Sequence, residues 1–414
     1  MKPDTTRSSA TMGLACAGGV IEGAIYEVGA LNALEEAIDG VHMHELDTYV
    51  GVSSGGLIGA VLANGVPAQT MTHAMVGRAE PALNLEPDVL FKPALGEYAG
   101  RIGRLPGALA SAVGEYVRNP SDLSVFGLLM SLGAAVPTGL FDNAPLEQYL
   151  ARAFSTGGRT NDFRRLDAAL YIVAMHLDSA EVAVFGEPGL DHVPISKAIQ
   201  ASTALPGLYC PVEIEDQYYI DGVARRTVHA SVALDAGIDL LFCINPIVPV
   251  NVQLEEQINR LRQESLVDHG LPSVLSQTFR AVIDSRMRTG FKKYAHTHPE
   301  ADLILIEPEY EETDLFFSDV FSFSNRQRTA ELAYQATRDY LYKRRDEVSE
   351  TLERHGLRLR TSVLEDESRT LLGRGDLPEP PTARTPFFED ADHVLQRLDR
   401  VLTRIEKRAA AEAA

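Results

Sequence analysis

The chain has 414 residues, 45% hydrophobic and 23% charged, which excludes the disordered class and provides enough apolar material for a sizeable core. Lys and Arg number 38 against 58 Asp and Glu, and the net charge of −20 repels nucleic acid and gives no general attraction to anionic membranes. The length exceeds one ordinary domain, so one large α/β domain with additions, or two domains, is expected.

Residues 1–10 are polar and read as a flexible N-terminus. Thr11 to Ala17 is apolar, too short for a signal peptide, and reads as a buried strand. Gly18-Gly19-Val20-Ile21-Glu22-Gly23 follows at once. A helix then runs through AIYEVGALNALEEAI, where Ile25, Val28, Leu31 and Leu34 recur at helical spacing. Thr48-Tyr49-Val50 predicts a second strand and Leu57 to Ala63 a second apolar helix, which makes two adjacent parallel strands with glycine-rich helix starts at their ends. Pro67 to Val76 is helical in character. The segment from Ala94 to Val136 carries an amphipathic stripe and then an almost wholly apolar run. Together with its proline-broken flanks it reads as a helical insertion over residues 78–140. Leu123 to Phe141, although uncharged, contains Gly127, Gly133, Pro137 and Gly139 and reads as a buried or surface-adsorbing helix rather than a membrane span.

Further along, Asp142 to Phe154 predicts a helix, and residues 168–185 predict two strands joined at Asp178-Ser179. Ile195 to Thr203 predicts a helix, Gln217 to Ile220 a strand ending at Asp221-Gly222, and Asp239 to Asn245 and Asp302 to Ile306 two more strands. A mostly helical region follows, and residues 346–414 read as a charged C-terminal arm ending in a helix. Cys16, Cys210 and Cys243 have no paired spacing and lie in apolar runs, so they read as buried free thiols in a reducing compartment.

Chemistry concentrates at Gly51-Val52-Ser53-Ser54-Gly55, which fits Gly-x-Ser-x-Gly between a strand and a helix. The glycines permit a tight turn on which Ser53 stands exposed near the positive end of a helix, as a nucleophile requires; a serine helix cap is the alternative. The loop at Gly18, Gly19 and Val20 can supply backbone N–H groups to an oxyanion, or cradle a phosphate, or simply allow close helix–strand packing. Its spacing is not that of a dinucleotide site. None of the eleven histidines sits in a catalytic signature; His176, near a strand end, is the best placed, and the His296–His298 pair reads as a polar loop rather than a metal site. Asp221, at the end of an aromatic, β-branched strand, is the stronger candidate base.

Taken in order, the glycine loop, the Gly-x-Ser-x-Gly turn, Ala201-Ser202-Thr203-Ala204-Leu205-Pro206-Gly207 and Asp221-Gly222-Val223 resemble the patatin-like phospholipases. The resemblance runs from about residue 11 to 250 and extends plausibly to about 340. It implies a patatin-type three-layer α/β sandwich with a mostly parallel sheet over residues 11–345, bearing the insertion and the C-terminal helical arm. It also implies a Ser53–Asp221 dyad, an oxyanion hole at Gly18, Gly19 and Val20, no metal and no cofactor. The implied activity is fatty-acyl ester hydrolysis through an acyl-enzyme, with a lipid partner; the free thiols and the N-terminus unlike a signal peptide read as cytoplasmic, and the apolar insertion reads either as a cap that binds acyl chains or makes peripheral membrane contact, or as ordinary helical packing. An inactive lipid-binding or scaffold protein of the same fold, an acyltransferase and a neutral-lipid esterase are the alternatives. Val20, Glu22 and Val223 depart from the family's glycine, basic and small residues, and Glu22 brings a repulsive charge to where an anionic head group is expected.

Overall fold

The computed structural model describes residues 10–75, 87–102, 107, 136–225, 228–249, 266–308 and 326–373. The buried run after residue 11 forms β1 (Met12–Cys16) and leads into α1 (Val20–Ala37); β2 (Thr48–Val52) leads into α2 (Ser54–Ala63). The two strands pair in parallel, Gly13 opposite Thr48 and Cys16 opposite Gly51, so both turns open on the same edge. Next come α3 (Ala68–Met75), α4 (Ala144–Phe154), β3 (Ala169–His176), β4 (Val182–Phe185), α5 (Ile195–Ser202), β5 (Val212–Ile214) and β6 (Gln217–Asp221). The chain continues through α6 (Ala230–Asp235), β7 (Leu240–Ile244), α7 (Gly270–Thr297), β8 (Asp302–Ile306), α8 (Arg326–Lys343) and α9 (Arg345–Arg354).

The strand order of the eight-stranded sheet is β8-β7-β1-β2-β3-β6-β5, with β4 paired to β3. From β8 to β3 every pairing is parallel, while the pairings of β4 and β6 with β3 and of β5 with β6 are antiparallel. Side chains alternate between two apolar layers, as strand geometry requires. Leu14, Cys16, Tyr49, Ile172 and Phe242 pack with α1, α2 and α8 on one face. Ala15, Ala17, Val50, Val173 and Leu241 pack with α6 and α7 on the other. The result is the mostly parallel three-layer α/β arrangement expected. Close approach of α1 and α8 depends on Gly29, where a Cβ would fall 2.3 Å from the Ala330 carbonyl oxygen.

Much of the expected insertion, including residues 108–135, lies outside the described residues, as does the C-terminal stretch beyond 373. The first part of the expected arm is folded against the body. Arg358 and Leu359 pair with Asp39 and Ile38, and the buried Arg338 guanidinium donates to the carbonyls of Val363 at 2.8 Å and Asp366 at 2.7 Å. Burying that fork against backbone carbonyls fixes a segment whose charged composition reads as solvated. Among the described residues no helix is long and apolar enough to cross a membrane.

Candidate active site

Ser53 lies between β2 and α2 with φ 55° and ψ −123°, a left-handed turn that costs a non-glycine residue about 1–3 kcal/mol. Its flanking glycines have steric causes. A Cβ on Gly51 would fall 2.3 Å from the Gly55 carbonyl oxygen, and one on Gly55 would fall 2.4 Å from the carbonyl oxygens of both Cys16 and Ala17. The turn is held from behind, because the Ser53 N–H donates to Ser202 Oγ at 2.7 Å and the Ser202 hydroxyl donates to the Val173 carbonyl at 2.6 Å.

Asp221 ends β6, as the strand read from sequence places it, but β6 is antiparallel to β3, so its end is not one of the parallel strands' ends. Register does the positioning instead: Asp221 pairs with Ala174, one residue beyond Val173, and Val173 pairs with Val52 beside the turn. Gly222 permits this, since a Cβ there would lie 2.4 Å from the Val173 carbonyl oxygen. The Asp221 N–H donates to the Ala204 carbonyl at 3.0 Å, and its Oδ1 accepts the Val223 N–H at 2.9 Å. Only 2% of Asp221 is exposed. Burial pushes its carboxyl up to about 7, partly offset by the Val223 amide and by a hydrogen bond with the Ser53 side chain. Ser53 and Asp221 are therefore brought together.

Gly18 abuts the serine so closely that a Cβ would lie 2.8 Å from Ser53 Cβ, and a Cβ on Gly19 would lie 2.6 Å from Gly23 Cα. Val20 begins α1, and its φ of 55° is a genuine outlier for a β-branched residue. The first amides of a helix have no intrahelical acceptor, so this helix start presents donors and a positive dipole end near Ser53.

Glu22 does not face the serine. Along α1, Val20, Ile21, Ala24 and Ile25 line the cavity at Ser53, whereas Glu22, Gly23 and Tyr26 line a separate small pocket with Arg280 and Thr329. Helical spacing divides the two sets, and Glu22 lies close enough to Arg280 to act on that cation's protonation. The expectation of a repulsive charge at the substrate position is thus corrected.

The cavity holds about 200 Å³ and is almost wholly apolar, lined by side chains that include Ile21, Leu57, Val61, Met71, Leu150 and Phe154. It follows α2 from Ser53 to Val61, about 12 Å by helical rise. His176 is not part of it: its Nδ1 bonds to Ser179 in an exposed turn. His298 pairs with Asp235 at 3.1 Å, and among the described residues no group of three side chains is arranged to hold a metal. The three cysteines are free, with Cys16 and Cys243 buried and Cys210 half-buried.

The segment around Ser202 carries part of the family resemblance but has no role assigned from sequence. In the structure it joins the two halves of the site, Ser202 holding the Ser53 amide and Ala204 the Asp221 amide. The available signal was its place just before the Asp-Gly strand.

Ser53 thus stands on a glycine-flanked strand–helix turn beside a buried carboxylate, at the wall of an apolar cavity on an α/β sheet. The sequence profile of the patatin-like phospholipases matches residues 14–234, more than half of the chain, and the protein belongs to that family. Family membership implies lipid acyl hydrolase activity. No curated protein matches the chain. Among solved structures it is similar to VipD from Legionella pneumophila, with 15% identity, a TM-score of 0.33, and coverage of 80% of this chain and 66% of that one. It is also similar to a chain in the structure of full-length SpcU in complex with full-length ExoU from the type III secretion system of Pseudomonas aeruginosa. There the identity is 12%, the TM-score 0.24, and the coverage 80% of this chain and 71% of that one.

Proposed function

We propose that the protein hydrolyses a fatty-acyl ester of a lipid through an acyl-enzyme on Ser53, with Asp221 as general base. The observation that carries this reading is the Ser53 hydroxyl placed beside the buried Asp221 carboxylate, close enough to influence its protonation, at an apolar cavity. As Ser53 Oγ attacks the ester carbonyl, Asp221 accepts its proton, and the amides of Gly18, Gly19 and Val20 receive the developing oxyanion. Each such donor contributes about 2.7–4 kcal/mol to the transition state. Collapse of the tetrahedral intermediate expels the alcohol, which takes the proton back from Asp221. Water then attacks the acyl-enzyme, again giving its proton to Asp221, and the fatty acid leaves as Ser53 regains a proton. The acyl chain occupies the cavity along α2, where it is shielded from water. An acid held near 7 rather than near 4 is a better proton acceptor at neutral pH, which is what a serine without a histidine requires.

A fluorophosphonate probe tests the reading. It should label the wild type and not Ser53→Ala; a well-folded wild type that resists labelling would refute the reading in favour of an inactive lipid-binding or scaffold protein of the same fold.

A further inference from the structure

α7 is longer than the sheet it covers. A short turn after Thr297 leads into β8, so helix and strand run in opposite directions, and Arg288 Nη2 donates to Glu307 Oε1 at 3.3 Å just past the strand's end. Two residues further out, Arg286 Nη1 donates to the Ala224 carbonyl at 3.4 Å, three residues beyond Asp221. These contacts mark the level of the sheet edge on the helix. Ser53 follows β2 on that same edge, because Cys16 pairs with both Gly51 and Ile244, and Ile244 with Ile306. Residues 270–285 therefore continue past the edge that carries Ser53, by about 23 Å of helical rise.

The projecting part has two unlike faces. Ile283 and Met287 are buried against the sheet, and Arg280 Nη1 donates to the Val248 carbonyl at 3.4 Å. Leu275, Phe279 and Val282 recur at helical spacing on another face and are all exposed, Phe279 by 60%. Further along the same stripe, one and three turns beyond Val282, come Arg286 and Lys293, both exposed. Residues 270–283 hold no carboxylate, and α7 carries five Lys and Arg against one Asp in a chain of net charge −20. Exposed apolar side chains grouped on one helix face are a contact surface, because removing them from water is favourable. The order of charge along the stripe selects what covers it. An apolar outer end followed by cations, on an otherwise acidic molecule, fits a helix seated at an anionic lipid surface.

We propose that α7 docks the protein on an anionic bilayer, with Leu275, Phe279 and Val282 entering the head-group layer and Arg286 and Lys293 lying against its negative charge. The choice of a lipid surface rests on the acyl-hydrolase reading above, since a lipid substrate has to leave its bilayer at the edge where Ser53 stands.

The chain has no tryptophan, so Phe279→Trp supplies a single reporter. Ser53→Ala/Phe279→Trp, which cannot turn over lipid, is mixed with phosphatidylcholine vesicles with and without phosphatidylglycerol. Emission should shift to the blue on the anionic vesicles, and lipids with brominated acyl chains should quench it. In the Ser53→Ala background, Leu275→Ser/Val282→Ser should weaken co-sedimentation with vesicles by about tenfold or more. Arg286→Gln/Lys293→Gln should weaken it by about tenfold on anionic vesicles and leave the weaker binding to neutral vesicles unchanged. Absence of vesicle binding overturns the proposal, as does binding that leaves the Phe279→Trp emission unmoved or survives Leu275→Ser/Val282→Ser, because contact is then made elsewhere. A blue shift that grows with protein concentration without vesicles, together with a doubled mass in sedimentation, overturns it in favour of a second copy of the chain. With Ser53 present, the stripe variants should react with a fluorophosphonate in solution at the wild-type rate, which reports an intact fold. Loss of labelling in the wild type refutes the hydrolase reading and leaves the vesicle result standing.

Discussion

Replacing Asp221 with asparagine should make the protein more stable and less active at once, with both effects following one titration. In the folded chain burial raises this carboxyl from 3.8 to about 7. Below about pH 4 it is protonated whether the chain is folded or not, and it sets no difference between the states. Between about pH 4 and 7 the unfolded chain releases the proton while the folded chain retains it, so stability falls as pH rises. Above about pH 7 both forms are ionised and the loss is complete. Three units at about 1.4 kcal/mol each give a penalty of about 4 kcal/mol. The side-chain amide oxygen of the variant can keep the contact with the Val223 N–H without carrying charge, so Asp221→Asn should gain up to about 4 kcal/mol over the wild type at pH 8 and almost nothing at pH 4. Urea unfolding of both proteins across this range gives the difference directly. The kcat/KM of the wild type on a soluble ester should rise with a midpoint at about 7, as Asp221 becomes able to accept the serine proton. A stability difference that does not change with pH, or an activity midpoint near 4, would refute the reasoning.

Ser202→Ala leaves the Ser53 amide without its buried acceptor, and we expect a loss of about 1–3 kcal/mol in urea unfolding together with slower fluorophosphonate labelling. Val20→Gly removes the strain of a β-branched residue at φ 55°; even after the extra freedom of the unfolded chain, a net gain of about 1 kcal/mol in thermal unfolding is expected, with labelling at least as fast. Leu150→Trp narrows the cavity and should shift the ratio of kcat/KM for decanoyl over butyryl esters down by about tenfold or more, as read with chromogenic esters.

Sequence by itself determined the parts whose physics is local. Glycine spacing around Ser53 announced a turn that no other residue tolerates, the apolar and helical periodicities gave the two strand–turn–helix units, and the aromatic strand before Asp221 marked where it would end. Together with the family resemblance, these named both members of the proposed dyad. What only the tertiary structure decided depends on contacts between distant elements. Asp221 meets Ser53 through the register of an antiparallel strand, not through strand polarity, and pattern along one strand cannot report its pairing direction. Ser202 looks like any helix-end serine until α5 packs behind the turn and its hydroxyl becomes the acceptor for the Ser53 amide. Glu22 loses its expected importance for the same reason. Helix rotation turns Glu22 away from the serine.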